Sequence, residues 1–379
     1  MFKSTFRLGQ ILGIPIEVHV SWILAFILFT VSFTFTFRQA YNWPTSLTWA
    51  VGLATSLLFF VSVLLHELAH SVYARSKGIP VRNITLFIFG GVSQITEEPK
   101  TADTEFAMAF AGPLTSFVLA ALFGLLWFVS RGVNQPIAAL SQYLAVANAG
   151  LGAFNLIPGF PLDGGRVFRS ILWGLGQNLE RATRWASLVG QGIAYLMIIA
   201  GILQFFSVVR IWFLGDSPLS GLWLVFIGWF LDNAAQSSYQ QVATQRLLAG
   251  HTVREIMNQD CTALSPNLTL ETLVNDHILA TGRRCFPVVE GDALQGLLTI
   301  HNVKEVPREQ WATTTVRAAM IPADKLKTVP PDQGLWPALQ EMTAEGVNQL
   351  PVMENRRLVG VLARDNVLSF LRTRAELGV

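Results

Sequence analysis

Charge is scarce in this chain of 379 residues: Asp, Glu, Lys and Arg together make up 14%, against 51% apolar residues, and the mean hydropathy is +0.44. So few charges cannot cover an ordinary soluble protein of this length. The formal net charge is only +2, so there is no basic field for nucleic acid and no such partner is expected. Cysteine is nearly absent. The two present, Cys261 and Cys285, have neither zinc-binding nor redox spacing and read as reduced thiols. A cleavable leader is not expected either, because the apolar run 18–37 is long enough to span a bilayer and no small-residue cleavage site follows it.

The charges that do occur are unevenly placed. Nearly all long uncharged runs lie before about residue 235, and the rest of the chain has a mixed, soluble-looking composition. Membrane spans are expected at 18–37, 48–74, 106–130, within the long run 132–162, at 185–209 and at 218–235, the last being short between Asp216 and Asp232. Asp103 and Thr104 are candidate caps for the third span, and Gly112-Pro113 should loosen it. Lys3, Arg7, Arg75, Lys77, Arg82, Arg166, Arg169, Arg181 and Arg184 would share the cytosolic side, and Trp212, Trp223 and Trp229 read as interfacial anchors. His19, at the start of the first span, reads as a hydrogen-bonded structural residue rather than a ligand.

The uncharged run from Gln39 to Leu65 ends in HELAH, His66 to His70. Residues i and i+4 share a helix face, so His66 and His70 can offer two imidazoles to one metal ion. Glu67 sits beside that position, where a carboxylate can take a proton from attacking water, as in zinc-dependent peptide hydrolysis. Ionisable groups near the end of a membrane helix are costly and usually mark function.

Two other stretches belong with this motif. NLIPGFPLDGGR, Asn155 to Arg166, carries prolines that should break the fourth span, and Asp163 is the one acidic residue between Glu105 and Glu180. That makes Asp163 the natural third zinc ligand, with a helix-capping role as its structural alternative. Asn155 is a candidate donor to a substrate carbonyl or an interhelical hydrogen-bonding residue. Between Pro80 and Pro99, alternating β-formers flank Gly90-Gly91 and predict a hairpin turning at the two glycines, either a cover for the helix ends or an open edge for an extended substrate.

The tail is duplicated. TVREIM at Thr252 returns as TVRAAM at Thr315, FPVV at Phe286 as LPVM at Leu350, and GLL at Gly296 as GVL at Gly360, at offsets of 63 or 64 residues. Two copies of an α/β module follow from this.

With these motifs in place, the chain resembles the site-2 protease family of intramembrane zinc metalloproteases, in the subgroup with a C-terminal pair of CBS domains. The resemblance rests on HELAH at 66–70, NLIPGFPLDGG at 155–165 and the hairpin at Gly90, Gly91 and Val92, and it covers essentially the whole chain. It implies zinc ligation by His66, His70 and Asp163, a general base at Glu67, and substrate binding by Asn155, Pro161 and the hairpin. It also implies transmembrane proteins as substrates. CBS pairs of this kind commonly hold an adenine nucleotide; here the corresponding positions are Thr299, Asn302 and Asn366, and the aspartate that would hold the ribose is missing from both repeats.

The expected architecture is therefore a polytopic α-helical membrane protein of about six spans with a membrane-associated β-hairpin, followed by a soluble α/β tandem CBS domain. Its expected segments are 1–240 protease, 241–250 connector, 251–312 first repeat and 313–379 second repeat. The expected setting is a lipid bilayer, in a prokaryotic inner membrane with N-terminus and tail cytoplasmic and with homodimerisation through the CBS pair as a further expectation. The rival from another class is a metal-ion transporter or channel with the CBS tail as its sensor. Transport needs no general base, so it predicts full activity without Glu67.

Overall fold

The structure is a computed structural model and describes residues 5–88, 90–176, 178–209, 218–259, 262–291, 293–355 and 357–377. Lys3, Phe89, Cys261, Trp212 and Asp216 therefore lie outside the described residues. The chain forms two compact units, Met1–Val242 and Ala243–Val379.

In the first unit, helices α1 (Val20–Ala40), α2 (Thr45–Ser76), α3 (Ala102–Ser130), α4 (Gln135–Asn155) and α6 (Leu179–Phe205) are long and apolar enough to cross a membrane. A sixth long helix, α7 (Pro218–Leu248), falls short of that apolarity because its second half is polar. It also runs through most of the expected connector. Helix α5 (Asp163–Gly176) is short and amphipathic. Buried positions on α2 include Thr55, Ser56 and Ser62, and on α4 Ser141 and Asn148, small polar residues that let membrane helices approach closely.

Caps set the helix starts. His19 caps α1, its Nδ1 accepting from Ser21 N at 3.2 Å. Helix α3 begins at Ala102, capped by Thr101 rather than by Asp103 or Thr104; Thr101 Oγ1 accepts from Thr104 N at 3.3 Å. Pro113 sits inside α3 without ending it.

Against the helices lies a four-stranded sheet in the order β1 (Thr5–Ile11), β2 (Ile14–His19), β3 (Val81–Phe87), β4 (Gly90–Ile95). Strand β2 pairs parallel with β3, Ile16 opposite Ile84 and Val18 opposite Leu86, which draws the N-terminal hairpin to the segment after α2. Ile14, Ile16 and Ile84 pack on Leu68 of α2. The turn corrects the sequence expectation. Phe87 faces Gly90 and Leu86 faces Gly91, so Gly90-Gly91 belong to the strand and not to the turn.

In the second unit, β5 (Cys285–Glu290) and β6 (Ala293–Thr299) form a hairpin that recurs as β8 (Gln349–Glu354) and β9 (Arg357–Ala363). The repeat extends to the register: Cys285 faces Thr299 as Gln349 faces Ala363, and both hairpins carry a bulge at equivalent positions, Val288/Val289 and Val352/Met353. A short strand, β7 (Ile321–Pro322), adds to β6. The two cores exchange segments. Val253 and Met257, which open the first repeat in sequence, pack with Val352 and Leu362 of the second. Val316, which opens the second, packs with Phe286 and Val288 of the first.

Candidate metal centre

Helix α2 places His66 and His70 one turn apart with ring centroids 4.9 Å apart, and both rings are buried. Each ring is oriented from behind. His66 Nδ1 lies 2.9 Å from Ser116 Oγ on α3, and His70 Nδ1 lies 2.7 Å from the carbonyl oxygen of Met108, to which it donates. Such bonds select the tautomer and leave Nε2 facing forward. The two Nε2 atoms converge on Asp163 Oδ2, at 3.0 and 3.2 Å.

Asp163 is brought there by the break in the fourth run. Helix α4 stops at Asn155, residues 156–162 turn back without regular structure, and α5 begins at Asp163 itself, which places its carboxylate at a helix N-terminus. The donor atoms of His66, His70 and Asp163 all lie within 4.8 Å of one another. Tetrahedral zinc with bonds of about 2.0–2.1 Å separates its ligand atoms by roughly 3.3 Å, close to the distances here. Two imidazoles and a carboxylate with a fourth direction open is the donor set of a catalytic zinc site. The residues therefore fit zinc.

Helix α3 gives the centre its room. A Cβ at Gly112 would overlap His70 Nε2 and stand 2.6 Å from His66 Nε2, so only glycine fits beside the pair. Beside the centre, Glu67 is half-buried against β4. Ser93 Oγ donates to Glu67 Oε2 at 2.8 Å, and a Cβ at Gly91 would overlap Glu67 Cγ. This contact explains Gly91, where the backbone of β4 must press against the carboxylate side chain; Gly90 has open space around it and is required instead by its φ of +131°.

The remaining expected residues are dispersed. Asn155 ends α4, and its Nδ2 donates to Leu151 O at 3.0 Å, a bond within its own helix rather than between helices. Pro161 lies in the broken segment after a cis peptide bond. Gly90 and Val92 lie on β4, Val92 being exposed. In the second unit, Asn302 caps a helix over Ile300–Glu305 together with Thr299, and Asn366 Nδ2 donates to Ile256 O, 110 residues away, at 3.2 Å, so both amides have structural partners. Thr299 lines a cavity of about 610 Å3, joined by Arg284, Lys304, Arg364 and Asp365. Asn302 is absent from that lining. Sequence reasoning missed these charged residues, and also Ser93 and Ser116, and singled out Gly112 only with Pro113 as a loosening of the third span; the one available signal for Ser116 was that 112 and 116 are i and i+4 on a helix.

A helical membrane unit with an HExxH helix and a distant aspartate completing a zinc site defines a membrane-bound metallopeptidase. Comparison with known proteins agrees. Peptidase family M50 matches residues 54–137 and 131–199, and the CBS domain matches 253–309 and 316–373. A protein from Synechocystis sp. that carries a zinc metalloprotease name, sll0528, is 33% identical over 98% of this chain and 97% of its own length. Zinc metalloprotease MJ0392 of Methanocaldococcus jannaschii is 29% identical over 98% of both chains. Among solved structures, the site-2 protease from Methanocaldococcus jannaschii matches with 32% identity and a TM-score of 0.42, over 62% of this chain and 95% of that one. The chain belongs to peptidase family M50, the site-2 proteases, with a C-terminal CBS pair, and is an integral membrane metalloprotease.

Proposed function

We propose that the protein hydrolyses peptide bonds within or near the transmembrane segments of other membrane proteins, with His66, His70 and Asp163 as zinc ligands and Glu67 as general base. The observation that carries this reading is the convergence of both Nε2 atoms on Asp163 with Glu67 alongside. A zinc ion held there supplies Lewis acidity, which polarises the scissile carbonyl and acidifies water. Glu67 takes the proton from the attacking water and later passes it to the leaving amine. Asn155 exchanges its bond to Leu151 for one to the scissile carbonyl, adding a donor where negative charge develops.

A substrate helix hides its carbonyls in its own hydrogen bonds and must unwind before it can be cut. Strand β4 is at the end of the sheet order, so its outer edge is open to an extended segment that would replace the lost bonds. Exposed Val92, next to Gly91, would meet the substrate's side chains. Arg75, Lys77, Arg82, Arg166, Arg181 and Arg184 crowd the end of the bundle where α2 finishes and α5 and α6 begin, against Arg38 and Arg131 at the other end. This supports a prokaryotic inner membrane orientation with the metal centre near the cytosolic face and the N-terminus and tail inside. The basic cavity of the second unit supports binding of an anionic ligand such as an adenine nucleotide, with Asp365 available to ribose hydroxyls in place of Asn302. Homodimerisation through the CBS pair belongs to the same proposal.

The test is cleavage of single-span membrane proteins by the purified enzyme in liposomes. Glu67→Gln should lower turnover by a factor of about 100 or more while bound zinc stays near one per chain, and a chelator should stop the wild type. Full turnover in Glu67→Gln would remove Glu67 as the general base, and a wild type that binds zinc but cuts no substrate would favour metal transport instead.

A further inference from the structure

The general base is attached to the open-edged strand by a side chain outside the sequence motifs. Ser93 pairs opposite Ile84 and shares with Gly91 the face of β4 turned toward α2. Its hydroxyl lies 2.8 Å from Glu67 Oε2 and 3.1 Å from the carbonyl oxygen of Glu67, and it accepts from Ser71 Oγ at 3.1 Å. Ser71 is buried and one turn beyond Glu67 on α2. A glutamate has three freely rotating torsions, and on a helix its carboxylate sweeps a wide arc. Here Gly91 closes one side of that arc, and the Ser71 to Ser93 pair holds one oxygen from the other. Among the described residues, Oε1 carries no hydrogen bond and remains for the proton.

We propose that Ser93 is a positioning residue that holds the Glu67 carboxylate in its proton-accepting orientation, so that the strand offered to substrate also sets the base. The proposal rests on the peptidase reading. An oxygen held by a neutral hydroxyl keeps its partner oxygen aimed without cancelling the carboxylate's charge, which a lysine or arginine in the same place would do. Because Ser93 acts through Glu67, its loss should appear in turnover and not in substrate affinity. A role limited to fastening β4 to α2 would instead appear in stability, or in KM through a disturbed edge.

The experiment uses the full-length protein in detergent micelles with its zinc content measured, and a fluorescent library of extended peptides. Wild type with and without chelator comes first: if no peptide is cut in a chelator-sensitive way, the peptidase reading fails and the Ser93 assignment with it. Given cleavage, Ser93→Ala should lower kcat about five- to tenfold with KM and zinc content unchanged. Ser93→Thr, which keeps the hydroxyl, should return kcat to within about twofold of wild type. Ser71→Ala, which leaves β4 untouched, should cost about two- to threefold. An unchanged kcat in Ser93→Ala, a loss confined to KM, or equal losses in the Ala and Thr variants would overturn the assignment while leaving the peptidase reading standing. If Ser93→Ala does not fold, an unchanged kcat in Ser71→Ala overturns it.

Discussion

His66 and His70 were readable because their relation is local: four residues along a helix fix two side chains on one face before any packing occurs. Asp163 could be nominated only indirectly, as the one acid between Glu105 and Glu180 and by the likeness of NLIPGFPLDGG to a family motif. The residues that make the site work are of a different kind. Gly112 looks like any membrane-helix glycine, and its role depends on α3 lying against α2, which no local pattern reports. Gly112→Ala should therefore reduce zinc occupancy by at least about tenfold, since a clash with two ligand nitrogens cannot be relieved without moving the rings. Gly124→Ala, on the same helix with nothing within 4 Å of the added Cβ, should keep full zinc. Metal analysis of the two purified variants checks this, and equal occupancy would remove Gly112 from the account.

Among the elements, α5 has the most exacting task, because its first residue is Asp163. Its position depends on a buried ion pair: Glu105 of α3, fully buried, accepts from Arg169 Nε at 2.7 Å, and Arg169 stands over the Phe160 ring at 5.2 Å. Arg166 Nε lies 3.7 Å from the same carboxylate oxygen. Glu105→Gln leaves buried Arg169 with only Glu98, 3.8 Å from its Nη1, as counter-charge and should cost up to about 3–5 kcal/mol, whereas Glu105→Gln with Arg169→Met should recover much of that loss. Thermal unfolding of the two variants in detergent decides it, and a double variant as unstable as the single would show that the charge pair does not hold α5. Nothing local marks Glu105 and Arg169, 64 residues apart, as partners. The same limit applies to β2. Val18 and His19, expected at the start of the first span, end β2 instead, and the parallel partner of that strand lies beyond all of α1 and α2. The exchange of Val253 and Val316 between the CBS cores also escaped the repeat pattern, which reports similarity and not which copy closes which core.

Taken together, the chain joins a membrane unit that gathers His66, His70 and Asp163 to a tail that holds its own cores. A ligand that binds only the folded state stabilises it by mass action, about 4 kcal/mol at a thousandfold excess over Kd. Chelation should therefore speed amide exchange around 66–70, 108–116 and 163–169 while exchange in 285–299 and 349–363 stays unchanged. Uniform loosening, or none in the first set, would contradict a zinc-completed centre. Composition and periodicity were enough to establish spans, the duplicated tail and the two-histidine helix, since each is a property of neighbours along the chain or of averaged hydropathy. Tertiary packing alone decided that Asp163 reaches both rings, that Gly91 and Ser93 enclose Glu67, and that β4 ends the sheet among the described residues. Those relations are set by how helices and strands distant in sequence close on one another, and that depends on the fit of whole surfaces.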